Sequence, residues 1–165
     1  MAHPDFEELL VAFDAHKVRY LIGGAHAVAL HARPRATKDL DLYLAATRAN
    51  ARRVIRAVAE FFGGTAPSYV SVENLLDPDM LIQLGVAPVR VDLLHEPETV
   101  PFAVAWRRRV CAPFGRVQAS FLSLPDLIAE KTHAGRAQDL ADLEHLRSAK
   151  RRQQTTSAGP RRTRR

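Results

Sequence analysis

Val18-Arg19-Tyr20-Leu21-Ile22-Gly23-Gly24, then a spacer of fourteen residues, then Asp39-Leu40-Asp41-Leu42-Tyr43-Leu44, is the stretch on which the fold turns. The first run reads as a short buried strand that delivers the chain to a glycine pair. The second alternates, so in a strand both carboxylates project from one face while the leucines fill the other. Between them, Ala25 to Ala32 reads as a short helix, stopped before Arg33 because Pro34 disfavours helical geometry in the residue ahead of it. Strand, glycine turn and helix N-terminus, in that order, is the arrangement with which a backbone receives a phosphate.

A third acid stands far downstream in Arg90-Val91-Asp92-Leu93-Leu94. Carboxylates in apolar strands repel one another, and a divalent cation is the usual remedy. With Asp92 on a strand beside Asp39 and Asp41, the three acids can hold one or two Mg²⁺ (or Mn²⁺) ions, while Gly23 and Gly24 let a triphosphate approach the backbone. Such equipment suits phosphoryl or nucleotidyl transfer.

Ile22-Gly23-Gly24, Asp39-Leu40-Asp41 and Asp92 together resemble the signature of the minimal nucleotidyltransferases of the polymerase-beta-like superfamily. Arg35-Ala36-Thr37-Lys38 and the late run from Asp126 through Lys131, Gly135, Arg136 and Asp139 to Leu143 resemble its prokaryotic branch that includes AbiEii-type toxins. The spacer of residues 25 to 38 is a little longer than is usual in the superfamily, a length the branch tolerates. The resemblance covers about residues 5 to 147. It implies an α/β nucleotidyltransferase fold, a mixed sheet flanked by helices with a C-terminal helical segment. It also implies that the amides of Gly23 and Gly24 hold the β and γ phosphates, that Asp39 and Asp41 bind the catalytic metals, and that Asp92 helps a second metal activate an attacking hydroxyl. Lys131 would reach phosphate, and Arg136 with Asp139 would shape the nucleotide site. Read alone, Arg136 and Asp139 are also spaced for a helical salt bridge. Arg35 either neutralises the triphosphate or is a solvated arginine, and Thr37, counted with the nucleotide-binding set, reads on its own as a hydrogen-bonding structural residue.

A chain of 165 residues with 47% hydrophobic content supports one domain with a sizeable core and not two. No run approaches the ~18–20 apolar residues that span a membrane, and Asp5, Glu7 and Glu8 sit where a signal peptide is basic, so the expected place is the cytoplasm with no membrane partner. The single cysteine, Cys111, excludes an internal disulfide and a cysteine-based zinc cluster, and between Val110 and Ala112 it reads as a buried small residue. The net charge of +6 is concentrated at one end: seven of the 24 basic residues lie in 150–165 without an acid, which leaves 17 against 18 acidic side chains elsewhere. The expected organisation is a nucleotidyltransferase domain at 1–148 and a disordered basic tail at 149–165, able to hold phosphate backbones or to aid solubility.

The remaining pattern predicts an amphipathic helix through Phe6, Leu9, Leu10 and Phe13, a helix capped by Thr47 and ended by Gly63-Gly64, and an irregular stretch at 65–79. A hairpin of 81–84 and 89–94 carries Asp92. A helix near 102–108, strands at 110–113 and 117–122, and a helix from Ser123-Leu124-Pro125-Asp126 that breaks at Gly135 complete the chain. Trp106 beside Arg107-Arg108-Arg109 reads as a tryptophan packed on one helix face rather than a nucleic-acid clamp.

The chemistry expected is Mg²⁺-dependent transfer of a nucleoside monophosphate from an NTP to a hydroxyl. The acceptor is tRNA or a partner protein, in a toxin–antitoxin or phage-defence setting with a possible cognate toxin or antitoxin. The alternative is a catalytically silent nucleotide-binding or toxin-neutralising module. A small-molecule acceptor such as an aminoglycoside is disfavoured because so compact a chain leaves little room for a separate substrate domain.

Overall fold

The computed structural model describes residues 3–34, 36–86 and 89–157. Helix α1 (Pro4–Ala15) starts where the His3 side chain accepts a hydrogen bond from the Asp5 amide, and it buries Phe6, Leu9, Leu10 and Phe13 on one face. Strand β1 (Tyr20–Ile22) leads into α2 (Gly24–His31), and β2 (Asp39–Leu44) returns antiparallel to β1. Helix α3 (Arg48–Phe61) begins at Thr47, whose hydroxyl accepts from the Asn50 amide, a cap worth about 1 kcal/mol. After α4 (Val72–Leu76), the hairpin of β3 (Ile82–Val86) and β4 (Val89–Leu94) lays β4 parallel to β2. Helix α5 (Phe102–Arg108), the hairpin of β5 (Val110–Phe114) and β6 (Val117–Phe121), α6 (Leu124–Ala134) and α7 (Ala137–Ser157) follow.

The six strands run in the order β3-β4-β2-β1-β6-β5, a mixed sheet in which β6 also runs parallel to β1. The alternation read from the sequence holds in β2: Leu40, Leu42 and Leu44 are buried on one face, while Asp39, Asp41 and Tyr43 stand half-buried on the other. The fold is α/β, a mixed six-stranded sheet flanked by helices with a helical C-terminal segment. No helix among the described residues is long and apolar enough to cross a membrane.

Four details differ from the sequence pattern or refine it. Residues 65–79 contain α4, capped by Ser71 and anchored by buried Leu75; five residues are too few for a period to show. Helix α7 runs through Ser157, nine residues past the point where the sequence pattern places a disordered tail. Its buried face, Leu143, Leu146 and Ala149, continues the core to that point, and once a helix is nucleated each added residue contributes a hydrogen bond at little cost. Residues 158–165 lie outside the described residues. Cys111 is exposed, because β5 is an edge strand that turns Ala112 and Phe114 inward and Cys111 outward. Trp106 packs against Phe102 with ring centroids 5.8 Å apart and carries the Arg109 guanidinium 4.0 Å from its own centroid, so its faces are already occupied.

Candidate active site

Register builds the site. In the parallel pair β2–β4, Asp39 lies opposite Arg90 and Asp41 opposite Asp92, so the three acids and one arginine share one face of two neighbouring strands. The Arg90 guanidinium reaches both flanks, with Nη2 2.9 Å from Asp39 Oδ2 and Nε 3.1 Å from Asp92 Oδ1. Gln83 Nε2 on β3 donates to Asp92 Oδ1 at 3.2 Å. Among the described residues Asp41 has no such partner, and its carboxyl is held above the ordinary aspartate range by burial, then by the charges of Asp92 and Asp39, with Lys131 and Arg136 opposing. Asp92 is also raised, by burial first, against the pull of Arg90 and Gln83.

The glycine pair meets this cluster from the side of β1. A Cβ on Gly24 would sit 1.7 Å from Asp41 Oδ2, and one on Gly23 would sit 2.5 Å from the Tyr43 ring. Gly24 also has φ +52°, a left-handed conformation in which a side chain is strained. The glycines are therefore required by the acids' own strand, beyond any ligand. The Gly23 amide donates to the Asp41 carbonyl at 3.0 Å, which ties the turn to β2. The first intrahelical bond of α2 runs from the Ala27 amide to the Gly23 carbonyl, and no side chain caps the helix. The amides of Gly24 and Ala25 are thus among those a helix N-terminus presents to an anion.

The opposite wall comes from the α6–α7 junction, where Gly135 ends α6 in a left-handed conformation. Buried Lys131 places its ammonium 2.6 Å from Asp139 Oδ1 and 3.0 Å from Asp142 Oδ2. The Arg136 Nε donates to Asp139 Oδ2 at 2.7 Å, while the rest of that side chain is largely exposed. Burial alone would raise the Asp139 carboxyl, but hydrogen bonds from Arg136 and Lys131 outweigh it and hold the group below its ordinary range. Beneath this junction, Tyr43 is pushed up by burial and by Glu130, whose carboxylate accepts from the Thr99 amide at 2.8 Å.

The structure thus brings Asp39, Asp41, Asp92, Gly23, Gly24, Lys131, Arg136 and Asp139 to one place. Thr37 stands beside them with its hydroxyl committed to the backbone of Asp39, donating to the carbonyl at 3.1 Å and accepting from the amide at 3.3 Å. Arg35 lies outside the described residues. Sequence reasoning missed Arg90 and Asp142. Arg90 is two residues before Asp92 and so on its face, and Asp142 is one helical turn beyond Asp139; both spacings were there to be read.

Among the described residues, no three His, Cys, Asp or Glu side chains already converge as a metal cage. The donor set nonetheless suits a hard divalent ion, since it is all carboxylate oxygen and carries three negative charges against the single one of Arg90. Asp39, Asp41 and Asp92 are the residues that would hold it.

No family model matches the chain, and no curated protein matches it in sequence. Among solved structures, the crystal structure of ANT(2")-Ia in complex with adenylyl-2"-tobramycin superposes with a TM-score of 0.56 at 15% identity, over 87% of this chain and 86% of that one. The likeness is one of fold, across almost the whole of two chains of similar length.

Proposed function

We propose that this chain transfers a nucleoside monophosphate from an NTP to a hydroxyl and releases pyrophosphate. The observation that carries the reading is the β2–β4 register, which sets Asp41 beside Asp92 under the free N-terminus of α2. A Mg²⁺ or Mn²⁺ ion held by Asp39, Asp41 and Asp92 would supply charge stabilisation to the phosphoryl group and the leaving oxygen. The chain supplies the rest. The amides of Gly24 and Ala25 receive phosphate oxygens. Arg136, fixed by Asp139 and close enough to act on Asp41, faces the charge that develops on pyrophosphate. Lys131 holds Asp139 and Asp142 in place behind it, Thr37 belongs to the rim from which β2 begins, and Arg35 is assigned to neutralising the triphosphate.

For the acceptor, the basic end of α7, with Arg147, Arg151 and Arg152 exposed, supports an RNA such as tRNA, and a partner-protein hydroxyl is the other macromolecular choice. Either suits a toxin–antitoxin or phage-defence setting of the AbiEii type. The size argument against a small acceptor does not stand: ANT(2")-Ia, with adenylylated tobramycin in its crystal, is a chain of similar length. An aminoglycoside-like polyol is therefore an acceptor to be tested beside RNA and protein. One observation favours the silent-module alternative, namely that Arg90 already occupies Asp39 and Asp92. The deciding experiment offers each of the four labelled NTPs with Mg²⁺ to the protein in the presence of total tRNA, cell lysate or tobramycin. Label transferred to one acceptor establishes the activity, and NTP binding without transfer to any of them would favour the silent module.

A further inference from the structure

We infer that Arg90 is a built-in counter-cation of the acid cluster, bridging Asp39 and Asp92 until a divalent ion displaces it, and so setting the threshold at which metal binds. The inference rests on reading the three acids as metal ligands. Arg90 is placed for this by two independent features: it lies opposite Asp39 across the β2–β4 ladder, and it stands two residues before Asp92 on the same strand face. One guanidinium spans both carboxylates, through Nη2 to Asp39 at 2.9 Å and Nε to Asp92 at 3.1 Å, with a longer Nη2 approach to Asp92 Oδ2 at 3.5 Å. Its Nε is shut off from solvent and meets Asp92 as an ion pair without hydrogen-bond alignment. Among the described residues, the other two cations at the site, Lys131 and Arg136, are engaged by Asp139 and Asp142 on the far wall and act on Asp41. Arg90 is therefore the cation that relieves repulsion between the outer two acids.

A divalent ion relieves the same repulsion through the same oxygens. Guanidinium and ion cannot both take those lone pairs, so metal entry is an exchange in which Arg90 swings off the carboxylates. Arg90 is in this sense a positioning residue. A merely structural surface arginine, or one that only contacts phosphate, would not compete with metal in the absence of nucleotide.

The test is Mn²⁺ titration of nucleotide-free protein, followed by calorimetry and by the electron paramagnetic resonance of free Mn²⁺, for the full chain and for Arg90→Met. An opposite charge at this range changes carboxylate affinities by about tenfold to a thousandfold, so Arg90→Met should bind Mn²⁺ at least about tenfold more tightly. The apo variant should melt lower than the parent and regain its melting temperature with Mn²⁺. Arg90→Lys keeps the charge but loses the fork that spans two carboxylates, and should fall between the two in affinity; it serves as the test if Arg90→Met does not fold. Tight binding by the variant with none by the parent also supports the inference. Equal or weaker binding by both variants overturns it and leaves the metal reading standing. Absence of Mn²⁺ binding from all three proteins removes the metal reading itself.

Discussion

Two charge clusters face each other across the site, and they are built on opposite principles. On β2 and β4, two of three carboxylates share one guanidinium among the described residues; at the α6–α7 junction, two carboxylates share two cations. The first leaves Asp41 without a hydrogen-bonded counter-charge and raises its proton affinity, whereas the second holds Asp139 below its ordinary range. A buried carboxylate is expensive unless paired, so an unpaired one on a sheet carved to fit it is kept for something other than stability. The paired cluster closes a wall, and the carboxylate-rich one is where, on the proposed function, a cation would bind.

The sharpest way to break this contrast is to neutralise one carboxylate of each cluster. Asp41→Asn keeps the shape beside Gly24 and removes the charge. Nucleotide transfer should fall by about a thousandfold or more, the scale of losing a preorganised electrostatic element, while the apo protein melts no lower than the parent. A labelled-NTP assay and a thermal melt check both halves. Substantial residual transfer, or a clear fall in melting temperature, would place Asp41 with the structural carboxylates.

On the other wall the balance of effects reverses. Lys131→Met should cost roughly 3–5 kcal/mol in urea unfolding, because it removes the counter-charge that the buried Asp139 and Asp142 carboxylates share. If the loss is under about 1 kcal/mol, the clamp is not structural and the Lys131 ammonium is free to serve phosphate directly.

Gly24 joins the comparison because its missing Cβ is what lets Asp41 stand where it does. Gly24→Ala should cost about 1–3 kcal/mol from its left-handed backbone and from the clash with the Asp41 carboxylate. The clash component should shrink in an Asp41→Gly background, so in a double-mutant cycle the double variant should cost about 0.5 kcal/mol or more less than the sum of the two single variants. Additive costs would mean that the glycine serves the turn alone.

Much of this arrangement was legible in the chain, and the limits of legibility have a physical cause. The period of two in Asp39-Leu40-Asp41-Leu42 fixes which side chains share a face, and the Pro34, Thr47, Ser123 and Gly135 signals fix where helices stop and start, because these are local properties of the backbone. What joins β2 to β4 is a ladder across fifty residues, and only that ladder turns Arg90 from a solvated side chain into the partner of Asp39. The wall at α6–α7 was half visible: a spacing of three suggested Arg136 with Asp139, but the burial that draws in Lys131 and Asp142 depends on how two helices pack. The helix beyond residue 148 was hidden for the opposite reason, since polar composition predicts little burial yet does not forbid a helix from continuing out of a core.

The smallest effect is in pH, and there the two clusters differ in sign. The folded protein binds the Asp41 proton more tightly than the unfolded chain does, so ionised Asp41 opposes folding at neutral pH; that opposition is relieved as pH falls through its raised folded value and is gone below 3.8. The Asp139 carboxyl is the reverse. Its contribution to stability is complete above 3.8 and is lost as pH falls from there through its lowered folded value. Urea midpoints taken between pH 7 and pH 3 should therefore show a small gain attributable to Asp41 before the loss attributable to Asp139. The gain is a fraction of the about 1.4 kcal/mol that one pKa unit carries for a buried group, since Asp41 is only half-buried. Asp41→Asn should shrink the gain to the part that other raised carboxyls such as Asp92 contribute and leave the loss, and Mg²⁺ should suppress the gain in the parent by keeping the carboxylates ionised. If the Asp41→Asn profile runs parallel to that of the parent at every pH, the carboxylate is already balanced by Lys131 and Arg136, and the two clusters are one network rather than two.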